Sequence, residues 1–181
     1  MVDLSDAGSV RPPPRRVHAA VVFADIVGYT ILMGADGAHT HARWMQLLHG
    51  TLRPMGARLG STLMKSTGDG VAAAFPTVAA ALCWAQAVQQ AVRESDDPGV
   101  PPVAFRIGID AGPVEFDADE IYGVAVNVAA RLQEHAPPGG IALSAAVQAA
   151  LPHPPPMLAL GCVALRNIPT PVEAAVIEPP S

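Results

Sequence analysis

The chain is short of charge, aromatics and cysteine. Charged residues make up 15% of its 181 positions and aromatics 4%. Basic residues number 11 against 16 acidic ones, a net charge of −5. That balance argues against a general nucleic-acid binder, which needs a basic face for phosphates. It still allows one basic pocket for a nucleotide. No run of about 18 apolar residues is present, so no transmembrane helix and no membrane partner are expected. The first sixteen residues carry Asp3, Asp6 and Pro12-Pro13-Pro14, where a signal peptide would need an apolar segment. A cytoplasmic location follows as the expectation. Cys83 and Cys162 are the only cysteines. They suit a reducing compartment and read as small core residues.

What remains is half hydrophobic, chiefly alanine, valine and leucine, enough for one domain with a sizeable core. Residues 1–16 form a basic, proline-rich flexible arm with Arg11, Arg15 and Arg16, and residues 17–178 form the domain. The first strand, residues 17–24, runs into Asp25 and a turn at Gly28, after which Thr30 and an apolar run open a helix. A carboxylate there suits a divalent cation, and the adjacent turn amides suit a phosphate. Gly34-Ala35-Asp36-Gly37 should break that helix. A longer one follows over residues 38–55, with Pro54 kinking or ending it. His39 and His41 lie two apart, face different sides of a helix and read as surface residues.

Residues 59–65 and 70–75 read as a hairpin with Asp69 between glycines at its turn, so its carboxylate can approach another group closely. Thr77 starts the next helix. Residues 95–102 form a loop. Residues 103–111 form a strand that Gly112-Pro113 turns towards a partner segment, 114–116, followed by an acidic bend at Asp117-Ala118-Asp119. Gly123 opens a helix on which Asn127 and Arg131, four apart, share a side. Residues 141–143, 157–165 and 172–177 close the chain as strands, with Ser144 capping a small helix. The order predicts an α/β (α+β) domain: a mostly antiparallel sheet with helices on one side.

The polar residues at element ends make a set: Asp25, Lys65, Asp69, Arg106, Glu120, Asn127, Arg131 and Arg166. Two acids suit a two-metal site, three arginines suit a triphosphate, and Lys65 with Glu120 suits a base edge. The motifs Phe23-Ala24-Asp25-Ile26-Val27-Gly28-Tyr29, Lys65-Ser66-Thr67-Gly68-Asp69-Gly70, Arg106-Ile107-Gly108-Ile109 and Ile121-Tyr122-Gly123 through Asn127 to Arg131-Leu132 resemble the class III nucleotidyl cyclases, in that family's order. The closing Leu165-Arg166-Asn167-Ile168 also fits. The resemblance covers residues 17–177 and implies a ferredoxin-like, palm-like cyclase fold. It implies two Mg2+ or Mn2+ ions on Asp25, Asp69 and the Ile26 carbonyl. Asn127 would orient the ribose and Arg131 would stabilise the transition state. Arg106, Arg166 and the amides of Val27, Gly28, Tyr29 and Thr30 would bind triphosphate. Each site would be shared between the chains of a head-to-tail homodimer.

Lys65 and Glu120 would read the base. ATP-selecting members usually pair lysine with aspartate, and guanylate cyclases usually carry glutamate and cysteine, so Glu120 departs from both patterns. Lysine can donate to adenine N1 and glutamate can accept from its N6 amine. Cytosine, guanine and uracil edges present related patterns. ATP is the expected substrate. A cyclase acting on GTP, or on CTP or UTP as in phage defence, stays open, as do a silent nucleotide-binding regulatory domain and a metal-dependent hydrolase or polymerase-like enzyme.

Overall fold

The computed structural model describes residues 14–95, 103–118 and 120–180. Strand β1 (Arg15–Ile26) is the centre of the sheet. It is flanked antiparallel by β3 (Gly70–Phe75) and, along its whole length, by β4 (Phe105–Asp117). β2 (Leu63–Ser66) pairs with β3, and β5 (Glu120–Tyr122) folds back on β4. β6 (Ile141–Ser144) joins β4 in parallel, then β8 (Val172–Ile177) and β7 (Leu158–Val163) follow antiparallel. The order is β2-β3-β1-β4-β6-β8-β7. The expected mostly antiparallel sheet is therefore observed.

Helices lie on both faces of the sheet. Alternate residues of a strand point to opposite faces. Ala20, Val22, Ala24 and Ile26 enter a core shared with α1 (Tyr29–Leu47), α3 (Val78–Glu94) and α5 (Ala145–Ala150). Ala19 and Val21 face the other way, against Ala125 and Ala129 of α4 (Val124–Leu132). Burial of both faces explains why β1 reads as a continuous apolar run. Helices on one side were expected because the sequence does not show which strand face α4 covers.

The interruption expected at Gly34-Ala35-Asp36-Gly37 is present as a kink within α1; other local expectations were corrected. Asp36 alone leaves helical geometry, and its side chain accepts a hydrogen bond from the His39 N–H at 3.1 Å, capping the second half. Pro54 does not end the next helix. Residues Leu48–Leu52 widen into a π-turn, the Arg53 N–H reaches back to Leu48 O, and α2 (Arg53–Arg58) continues through the proline. β2 starts only at Leu63.

Gly112-Pro113 makes no turn. β4 passes straight through it, with His18 opposite Pro113. Residues 110–114 have no strand on their other flank among the described residues, so a missing N–H is tolerated there. Arg15 and Arg16 belong to β1 and not to an arm. Residues 1–13, most of the 95–102 loop, and Asp119 lie outside the described residues. Cys83 and Cys162 are exposed. Their small size suited a core, but α3 and β7 present them outward.

Candidate active site

Asp25 stands one residue from the end of β1, opposite Gly70 of β3 and Arg106 of β4. A Cβ on Gly70 would lie 2.3 Å from the Ala24 carbonyl oxygen and 3.0 Å from an Asp25 carboxylate oxygen. Only hydrogen fits there, so glycine lets β3 and its loop close over β1. Asp69, the residue before β3, is thereby brought beside Asp25. Burial pushes the Asp25 carboxyl up to about 6, and the adjacent Asp69 charge and hydrogen bond add to this, while Arg106 opposes it. Two like charges so placed favour either a shared proton or a bound cation.

The Gly28 turn lies beside this pair. Gly28 has φ 66° and caps α1. The first helical bonds run from the Ile31 and Leu32 amides to Gly28 O, so the amides of Gly28, Tyr29 and Thr30 precede them and remain available to an anion. Val27 departs from expectation. Its N–H donates to Ala104 O at 2.8 Å, tying the turn to the chain entering β4. The Ile26 N–H is similarly used, donating to Asp69 O at 3.1 Å, while its side chain is buried. Arg106 Nε is buried without a hydrogen-bond partner, a donor left for a ligand.

The remaining candidates form separate groups. Lys65 Nζ on β2 pairs with the Glu120 carboxylate on β5, 55 residues later. Asn127 is exposed on α4. Arg131, one turn on, is ion-paired to Glu134 at 3.1 Å. Arg166 is exposed in a turn closed by the Ile168 N–H to Leu165 O, with Asn167 at φ 63°. Leu165 packs among Val128 and Leu132, which fastens that turn to α4. Among the described residues, no hydrogen bond or ion pair joins Lys65, Glu120, Asn127, Arg131 or Arg166 to the acid pair. His39 and His41 are exposed on α1, and no cluster of three metal-ligating side chains exists among the described residues.

The sequence profile of the adenylate and guanylate cyclase catalytic domain matches residues 13–162. The chain belongs to this family. A putative adenylate cyclase 3 of Rhizobium meliloti is 37% identical over 136 residues, 72% of this chain and 22% of that protein. The chain thus spans about a fifth of that relative's length. The crystal structure of an adenylate/guanylate cyclase/hydrolase from Silicibacter pomeroyi superposes with a TM-score of 0.82 at 34% identity, covering 93% of this chain and all of that one. An adenylyl cyclase from P. aeruginosa, at 22% identity, shares the fold, with a TM-score of 0.79 over 93% of this chain and 98% of its own. No helix of the described residues is long and apolar enough to cross a membrane.

The donor set of this cyclase domain fits the divalent cations typical of its family. Magnesium is commonly held by one or two carboxylates together with substrate phosphates, without an all-protein cage. Asp25 and Asp69 supply that number, and the buried, raised Asp25 carboxyl has a charge that a cation would relieve. Two contacts at the candidate site were not apparent from the sequence. Glu134, which holds Arg131, was signalled only by its i,i+3 spacing. Trp44, whose indole N–H donates to Gly68 O at 2.9 Å, carried no signal, because a tryptophan on an apolar helix face reads as core.

Proposed function

We propose that the domain converts ATP to 3′,5′-cyclic AMP and pyrophosphate, in a head-to-tail homodimer whose two sites each draw on both chains. The observation that carries the reading is the Asp25–Asp69 pair, closed over Gly70 and set beside unused turn amides and the unpartnered Arg106 Nε. Asp25, Asp69 and the Ile26 carbonyl hold Mg2+ or Mn2+. When bound, the two ions lower the pKa of the ribose 3′-hydroxyl and neutralise phosphate charge. Arg106, Arg166 and the amides of Gly28, Tyr29 and Thr30 bind the triphosphate. Asn127 orients the ribose, and Arg131 neutralises charge growing at the α-phosphate. The 3′-oxygen bonds to the α-phosphorus, the bond to the β-phosphate oxygen breaks, and the hydroxyl proton leaves to solvent.

Among the described residues no hydrogen bond or ion pair joins the acid pair to Asn127, Arg131 or the Lys65–Glu120 pair, which supports a site completed by a second copy. Lys65 donates to adenine N1 and Glu120 accepts from the N6 amine. The Lys65–Glu120 ion pair supports this reading, since it sets an N–H donor beside a carboxylate acceptor. The test is to incubate the protein separately with ATP, GTP, CTP and UTP, with magnesium or manganese, and to identify products by mass. Cyclic AMP is expected. A different cyclic nucleotide would retain the mechanism and overturn the base assignment. No cyclic product from any of the four, alongside nucleotide binding, would favour a silent regulatory domain.

A further inference from the structure

Asp69 sits in a loop that should move easily. Gly68 before it has φ 104°, and Gly70 follows, so both flanking positions carry the permissive residue. The loop is nevertheless pinned at three successive carbonyls. Gly68 O accepts from Trp44 Nε1 at 2.9 Å, Asp69 O from the Ile26 N–H at 3.1 Å, and Gly70 O from the Thr67 N–H at 2.9 Å. Two of these donors are main-chain groups. The third is a side chain, 24 residues away on α1 and 2% exposed. The same ring lies 6.1 Å from that of Phe105, which pairs with Ile26 at the end of β1 and adjoins Arg106. Trp44 therefore supports both strand ends on which the acidic site stands.

We propose that Trp44 is a positioning residue. By fixing the Gly68 carbonyl, its indole N–H sets where the Asp69 carboxylate stands relative to Asp25, and so sets the affinity for a divalent cation. This rests on the reading of Asp25 and Asp69 as the metal-holding carboxylates. Side-by-side carboxylates repel, and the one flanked by glycines is the one free to yield. A buried hydrogen bond on its own loop opposes that movement. Partners that orient a metal ligand typically govern about 10–100-fold of metal affinity.

Trp84 provides a matched control. It is also fully buried, and its indole N–H donates to Leu52 O at 3.1 Å, outside the Asp69 loop. Tryptophan to phenylalanine removes the same atoms at either position. Mn2+ binding is read by electron paramagnetic resonance of the free ion, on the full chain with a non-cyclisable ATP analogue. Thermal midpoints are recorded in parallel. Trp44→Phe is expected to weaken Mn2+ binding about tenfold, whereas Trp84→Phe lowers the midpoint and binds Mn2+ as the wild type does. Unchanged binding in Trp44→Phe, or equal weakening in Trp84→Phe, overturns the proposal. Asp69→Asn separates the two readings: if it too binds Mn2+ normally, the acid-pair assignment has failed. Should Trp44→Phe not fold, Trp44 is the sole tryptophan of the Trp84→Phe chain. Its emission is expected to shift when magnesium and the analogue bind, and a constant emission at saturation counts against the clamp.

Discussion

The two ends of the candidate site are built differently. The acid end, around Asp25 and Asp69, is held by the backbone: strand pairing on both sides of Asp25, a glycine with no room for a side chain, and pinned carbonyls on the loop. The other candidate groups, on α4, β2, β5 and the turn at Arg166, are set by side chains. Asn127 and Arg166 are exposed, Arg131 is occupied by Glu134, and Lys65 by Glu120. Exposed ion pairs of this kind contribute little to stability, about 0–1 kcal/mol each, and are easily exchanged for a ligand. A backbone-held carboxylate pair of this kind suits small hard cations, which tolerate little misplacement. The paired groups at the other end are long side chains whose present partners are each other or Glu134.

The largest expected effect tests whether these ends belong to different chains of one site. Asp25→Asn and Arg131→Ala should each reduce cyclic product by about 10³-fold, as loss of a metal-bound or transition-state charge does. Mixed together, they should recover about a quarter of wild-type activity, because half the dimers are mixed and each has one intact site. No recovery on mixing would mean that both ends serve the same chain. A smaller effect tests how rigid the acid end is. Gly70→Ala places a methyl group 2.3 Å from the Ala24 carbonyl. It should cost about 1–3 kcal/mol in denaturant unfolding and should disturb Asp25 directly. A Gly70→Ala protein as stable as the wild type would show that β3 is not closed down on β1.

The smallest effect is in pH. Asp25 is raised from 3.8 to about 6 in the folded protein, with burial the main cause. The folded state then holds the proton more tightly than the unfolded one. This carboxyl therefore destabilises the metal-free protein progressively as pH rises from about 4 to 6. Asp25→Asn should unfold at a higher temperature than the metal-free wild type at pH 7, with the gap closing by pH 4. The buried, also raised Asp110, hydrogen-bonded to Ser144, is common to both proteins and cancels. A pH-independent gap would mean that Asp25 is not strained by its neighbours.

Much of the architecture was legible because it is local. Strand β1 declares itself by a continuous apolar run, Thr77 by its position at the start of α3, and Asn127 and Arg131 by helical spacing. The misread turn has a physical cause. Gly112-Pro113 looks like a turn in isolation, yet β1 lies alongside it and extends β4 through it. Pro54 signals a kink or an end, and the helix does not end there but is irregular just before it, with a widened turn at Leu48–Leu52. At Gly112-Pro113 long-range pairing overrode a local preference worth at most a few kcal/mol.

The sequence by itself determined the residue types, their order and the family they point to, because motif spacing survives in the linear chain. It also determined the small-residue sheet, since alanine, valine and glycine leave strands that pack closely on both faces. Only the tertiary structure decided the contacts themselves. Asp69 against Asp25 and Lys65 against Glu120 are contacts that the family resemblance implied. Arg131 against Glu134 and Trp44 beneath the Asp69 loop are contacts that nothing in the motifs implied. Most of these are contacts between residues tens of positions apart. They depend on strand register and on the face each helix covers, and neither quantity is written in any local window of the chain.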